Sequence, residues 1–248
     1  MRFANLVFAL VLVCGSAQAA PEPSFEPNSV QTVDFNSPQR AYLEVPGPLA
    51  IYAEASLAGD PTVHAAAVQK LAKTLEEVIE ALPQHARGQM RSIKYYLMGG
   101  LRSPQGGLKG GMRYVAVGSR NPLWDSRWQG GIVVYSADNL MAMSAAQTQR
   151  ALAHEMAHAW HLTRWSSREP GIYGPWEAAA NRGLYKNIKD YKGRTVESAY
   201  AVKNQAEYFA ELSAAYFVGL HYEPFDRKGL KTYDPAGYRM VEQFWAPL

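Results

Sequence analysis

Ser144-Ala-Ala-Gln147-Thr-Gln-Arg-Ala-Leu-Ala-His154-Glu155-Met156-Ala157-His158 is the stretch on which the reading of this chain turns. It opens with a hydroxyl followed three residues later by Gln, the spacing of a capping box, so it predicts a helix beginning at Ser144 and running to about Thr163. On that helix a spacing of four sets the imidazoles of His154 and His158 one turn apart on one face, where they can share a zinc ion. Glu155 lies between them, beside the metal position, where a carboxylate can take a proton from activated water and pass it to a leaving amine. The same five residues also fit an amphipathic helix with half-exposed histidines, and the pattern alone does not decide.

Any metal here must be held by imidazole and carboxylate, because the only cysteine is Cys14 and it lies in an apparent leader. His161 falls on the same helical face, but it is seven residues from His154, about 10 Å along the axis, which is too far for one zinc. It reads as a residue behind the ligands, on the substrate side, or with no role. A third ligand has to come from elsewhere. Asn204-Gln-Ala-Glu207-Tyr-Phe-Ala-Glu211 offers two carboxylates one turn apart at a helix start, with Glu207 able to face a metal and Glu211 able to orient a histidine. The alternative is that Asn204 caps the helix and Glu207 is its capping-box partner, with no metal needed.

Taken together, these segments make the chain resemble the peptidase domain of the anthrax toxin lethal factor family, which includes relatives that cleave between prolines. The shared pieces are HExxH at His154 to His158 and, about fifty residues later, N-x-x-E-[FY]-F-A-E at Asn204 to Glu211. The resemblance covers about sixty residues, His154 to Phe217, and implies a gluzincin-like zincin with one zinc on His154, His158 and Glu207. It also implies that Tyr200, four residues before Asn204, stabilises the oxyanion. In zincins the edge strand before the metal helix usually binds substrate as an added strand, which points to Ile132, Val133, Val134 and Tyr135, although a plain core strand would look the same in sequence. Trp160, Trp165 and Trp176 crowd the region in a way the pattern does not explain.

Upstream, Asp60-Pro61 supplies an N-cap and a first helical position. Val63, Ala67, Leu71, Leu75, Val78, Ile79 and Leu82 then form one apolar face that Pro83 ends. Ile93 to Leu97, Tyr114 to Val117 and Ile132 to Tyr135 are β-prone runs separated by glycine turns, with no GxxxxGK[ST] phosphate loop among them. Downstream, Trp176 to Tyr185 reads as helix, Tyr191 to Tyr200 as extended, and Asn204 to Gly219 and Pro235 to Trp245 as helices. The fold class expected is α+β and zincin-like: a small twisted sheet and the metal helix in an N-terminal lobe, and a mainly helical C-terminal lobe.

Residues 1–19 read as a secretory signal peptide, with Arg2, an apolar run from Phe3 to Val13, and Ala17-Gln18-Ala19 as the cleavage pattern. Residues 20–39, with four prolines, read as an arm, leaving 40–248 as one domain. The apolar run is about half of what spans a bilayer, so the expected protein is secreted or periplasmic with no stable membrane anchor. The formal net charge is +3 with no concentrated basic block, which argues against a nucleic-acid partner. The expected function is an exported zinc endopeptidase acting on a peptide or protein. Two rivals are an inactive zinc-stabilised binding protein and a zinc amidase acting on cell-wall peptides.

Overall fold

A computed structural model of the chain describes residues 37–247. The leader and all but the last three residues of the arm lie outside the described residues. At the arm's end a turn bonds Arg40 N to Ser37 O at 3.0 Å.

The fold is mixed α+β around a five-stranded sheet. Its strands are β1 (Tyr42–Val45), β2 (Ala50–Glu54), β3 (Lys94–Leu97), β4 (Met112–Val115) and β5 (Gly131–Val134), in the order β1-β2-β3-β5-β4. The three central strands β2, β3 and β5 are parallel, and the two edges are antiparallel to their neighbours. Parallel neighbours need a crossover, and α1 (Pro61–Ala81) with α2 (Gln84–Ser92) supplies it between β2 and β3. Gly131 lets β5 lie close to β3, since a side chain there would meet Lys94 O at 2.8 Å.

α1 forms as its sequence predicts. Asp60 accepts from Val63 N at 3.1 Å, Pro61 sits at the first position, and Ala67, Leu71, Leu75, Val78 and Ile79 are buried. α2 was not legible, because only Ala86 and Met90 of its nine residues are buried. After β5 come α3 (Ala137–Ala142) and α4 (Ala145–Leu162). The capping box at α4 is complete, with Gln147 N donating to Ser144 Oγ at 3.2 Å and Ser144 N to Gln147 Oε1 at 2.7 Å.

The C-terminal part comprises α5 (Pro170–Asn181), the hairpin β6 (Lys186–Lys189) and β7 (Thr195–Ser198), α6 (Gln205–Phe217), α7 (Arg227–Tyr233) and α8 (Pro235–Phe244). α5 starts six residues earlier than Trp176, because Pro170 provides a first-position proline. α6 lies directly against α4, and the alanines of both allow that approach. The core runs between the sheet and α1 and α4, then continues between α4, α6 and α8. Tyr96, Met98, Val115, Trp128, Val133 and Tyr135 make a second, smaller cluster on the other face of the sheet. Among the described residues no helix is long and apolar enough to cross a membrane.

Candidate metal centre

α4 and α6 bring three donor atoms together. His154 Nε2 is 3.0 Å from Glu207 Oε2, His158 Nε2 is 2.9 Å from the same oxygen, and the two Nε2 atoms are 3.1 Å apart. Tetrahedral zinc with bonds of about 2.0–2.1 Å holds its ligand atoms roughly 3.3 Å apart, so the three are spaced for one small metal ion. This buried group is the one His, Cys, Asp or Glu cluster among the described residues whose ligand atoms converge in this way.

The start of α6 shows how Glu207 is freed for this. Asn204 Oδ1 accepts from both Ala206 N at 2.9 Å and Glu207 N at 3.0 Å, so the cap is present. The Glu207 carboxylate is bonded to the two imidazoles instead of turning back to Asn204 N. One turn on, Glu211 Oε1 accepts from His154 Nδ1 at 2.8 Å. That bond places the hydrogen on Nδ1 and turns the Nε2 lone pair toward the donor cluster.

The electrostatics fit a site built for a cation. Burial pulls the His154 pKa down, but the carboxylates of Glu207 and Glu211 on its two nitrogens outweigh this and raise it to about 10. Burial raises the Glu207 carboxyl, yet its bonds to His154 and His158 bring it well below the usual carboxylate range. A bound metal would replace the proton that these carboxylates otherwise hold on the imidazole.

Glu155 is 5% exposed and stays outside the donor cluster, in the same cavity of about 180 Å³. Its Oε2 accepts from Tyr114 N of β4 at 2.6 Å, and burial pushes its carboxyl above the usual range. Tyr200 also lines this cavity, with its ring centroid 5.8 Å from that of His154. It opens a single 3-10 turn, Tyr200–Val202, in which residues three apart eclipse. Lys203 therefore falls beside it and donates from Nζ to Tyr200 Oη at 2.7 Å.

Two expectations are corrected. Ile132, Val133 and Val134 belong to β5, which is paired on one side to β3 and on the other to β4, and Tyr135 N is bonded to Gly111 O at 3.0 Å. An interior strand has no free edge, so this segment cannot receive an added strand; the edge beside the metal centre is β4. His161 faces neither the donor cluster nor the cavity. It is fully buried, bonds Ser166 O through Nε2 at 3.0 Å, packs on Phe209, and is lowered to about 4 by burial. Two of the three crowding tryptophans pack on the end of α8, Trp160 stacking on Trp245 at 4.8 Å and Trp165 against Phe244, while Trp176 lies beside Tyr173 of its own helix at 5.5 Å.

The sequence reading missed Tyr222, which donates its phenolic hydrogen to Glu211 Oε2. It also missed Lys203 and Tyr114, whose parts depend on a turn and a strand edge.

Compared with family models, curated proteins and solved structures, the chain matches none of them. What the site does therefore rests on its own residues.

Proposed function

We propose that the protein is a metal-dependent hydrolase, and more narrowly a zincin-like zinc peptidase, exported as its leader sequence implies. The observation that carries this reading is the convergence of His154 Nε2, His158 Nε2 and Glu207 Oε2 within 2.9–3.1 Å, with Glu155 beside them and outside the donor set. A purely structural zinc has no use for a buried carboxylate next to an open coordination position. An oxygen- and nitrogen-donor set with no thiolate fits zinc in a catalytic role. When bound, zinc supplies Lewis acidity that favours attack of water on a carbonyl.

The chain's own residues do the rest. Val115 O accepts from Gly130 N at 2.7 Å and Gly111 O from Tyr135 N at 3.0 Å, so the odd-numbered residues of β4 face β5. Met112 and Tyr114 consequently turn their backbone groups away from β5; Tyr114 N is taken by Glu155 Oε2 at 2.6 Å, which leaves the Met112 groups and the Tyr114 carbonyl on an edge that no other described strand pairs with, where an extended peptide adds as a further strand. Glu155, raised by burial, takes the proton of the attacking water and returns it to the leaving amine. Tyr200 donates to the carbonyl oxygen as it gains charge. The Lys203 ammonium on its phenolic oxygen makes that O–H a stronger donor.

Glu155→Gln tests the reading: it keeps the side chain's shape and removes the base. The variant is expected to retain zinc and its melting temperature while losing at least about 100-fold in kcat on any peptide that the wild type cuts. Undiminished turnover contradicts the mechanism. Assaying peptidoglycan fragments beside casein and proline-containing peptides separates a cell-wall amidase from a protein-cleaving enzyme.

A further inference from the structure

β4 offers an added strand fewer partners than an ordinary edge does. Its even-numbered residues carry the backbone groups that point away from β5, and Tyr114 N already donates to Glu155 Oε2 at 2.6 Å. Just past the strand, Ala116 O turns back to accept from Ser119 N at 3.1 Å. Within β4 that leaves Met112 N, Met112 O and Tyr114 O on the side where no other described strand pairs. Met112 and Tyr114 both line the cavity that contains His154, His158 and Glu207.

The shortfall falls at one place. In a bonded pair of an antiparallel ladder, the two residues exchange both of their N–H to carbonyl bonds. A peptide residue opposite Met112 can exchange both. A peptide residue opposite Tyr114 can give its N–H to Tyr114 O, but its own carbonyl meets no donor, because Glu155 holds Tyr114 N. A carbonyl left unbonded away from water is costly, so it turns to whatever else can stabilise it. Beside it stand Glu155 and Tyr200, which share the cavity and which the proposed mechanism sets to work on the carbonyl under attack.

We infer that Glu155, through Tyr114 N, sets the register of the substrate: the residue paired with Tyr114 supplies the carbonyl of the bond to be cut. The inference rests on the peptidase reading of the site. Antiparallel pairing is the more stable way to extend an edge, and it runs the peptide from the Val115 end toward Met112. The second residue after the cut therefore pairs with Met112. These two residues must each give an N–H, one to Tyr114 O and one to Met112 O, and proline has none to give. The substrate is thus an extended peptide with no proline immediately before the cut or at the second position after it. Residues between and beside these two turn their N–H groups away from β4, and the ladder asks nothing of them. A bond between two prolines, which some members of the family that the sequence resembles cleave, is one that this edge does not present.

The test reads cut sites and binding separately. The zinc-loaded wild type is incubated with a decapeptide library randomised at every position, proline included, and the cuts are mapped by mass spectrometry. Proline is expected at about a tenth or less of its library frequency immediately before the cut and at the second position after it, and near its library frequency at the second position before. A fluorescent decapeptide built on the best cut site is then N-methylated at one residue at a time. Its binding to zinc-loaded Glu155→Gln, in which Gln keeps an oxygen for Tyr114 N, is followed by anisotropy. N-methylation at the two paired residues is expected to weaken binding about 3- to 10-fold, and at their neighbours about twofold or less. Proline accepted immediately before the cut, or losses on N-methylation at any other pair of positions, overturns the register and leaves the peptidase reading standing. No cut anywhere in the library removes the peptidase reading, and the register falls with it.

Discussion

Tyr222 donates to Glu211 Oε2, and the other oxygen of that carboxylate accepts from His154 Nδ1 at 2.8 Å, so a phenol eleven residues beyond Glu211 fixes the orientation of an imidazole in the candidate metal centre. The segment bearing Tyr222 is itself held by the hairpin region, with Tyr191 N bonded to His221 O at 3.0 Å and Glu223 N to Lys189 O at 2.9 Å. Tyr222→Phe deletes one bond and nothing else. We predict a fall in zinc affinity of about 3- to 10-fold, at the mild end for partners that orient ligands. Competition with a chromophoric chelator measures it.

Glu207 and Glu211 stand one turn apart but do different work. Glu207→Ala removes a ligand and is predicted to weaken zinc binding at least about 1000-fold, whereas Glu211→Ala removes only an orienting bond and costs about 10- to 100-fold. The same chelator competition ranks them. If Glu211→Ala proves the more damaging, the ligand is Glu211.

Zinc affinity should rise with pH. Without metal, His154 holds a proton up to about pH 10, and it must be released for Nε2 to bind a metal. The apparent Kd is therefore predicted to tighten about tenfold per pH unit between pH 6 and 8. The metal-free fold shows the converse sign. Its raised His154 pKa contributes stability that is complete below the unfolded value of 6.5 and lost as pH rises toward about 10. The depressed Glu207 contributes stability above 4.5 that is lost on acidification. Melting temperatures of the chelated protein from pH 4 to 10 should peak between these windows, near pH 4.5–6.5.

On the proposed mechanism Lys203 acts through Tyr200, so its removal should appear in kcat and spare KM. Lys203→Met is predicted to lower kcat about 5- to 20-fold, with Lys203→Arg recovering most of it, because a cation on the phenol matters only as charge develops on the substrate oxygen. Equal changes in KM and kcat/KM with kcat unchanged would instead make Lys203 a substrate contact.

The local parts of this account were legible because they are local. The Ser144 and Gln147 capping box, the Asp60-Pro61 helix start and the four-residue spacing of His154 and His158 each need only a few consecutive residues. The pairing of Glu207 with both imidazoles across about fifty residues was legible only through the resemblance. Strand order was not legible, since β4 precedes β5 in the chain yet lies outside it. A usable clue was nonetheless present. Ile132-Val-Val-Tyr135 is apolar throughout, as a strand buried on both faces should be, while Met112-Arg113-Tyr114 interrupts its apolar residues with a charge. His161 misled because helical phase puts it on the ligand face, whereas its surroundings, Phe209 and the Ser166 carbonyl, come from tertiary packing. Nothing in the spacing of Tyr222 connects it to Glu211.

The most direct test of the central claim is the metal content of the protein, purified without chelator and measured by elemental mass spectrometry beside a His158→Ala sample prepared identically. The account predicts one zinc per chain, absent from the variant. No zinc in the wild type after incubation with the metal, or zinc retained by His158→Ala, would contradict the site at His154, His158 and Glu207.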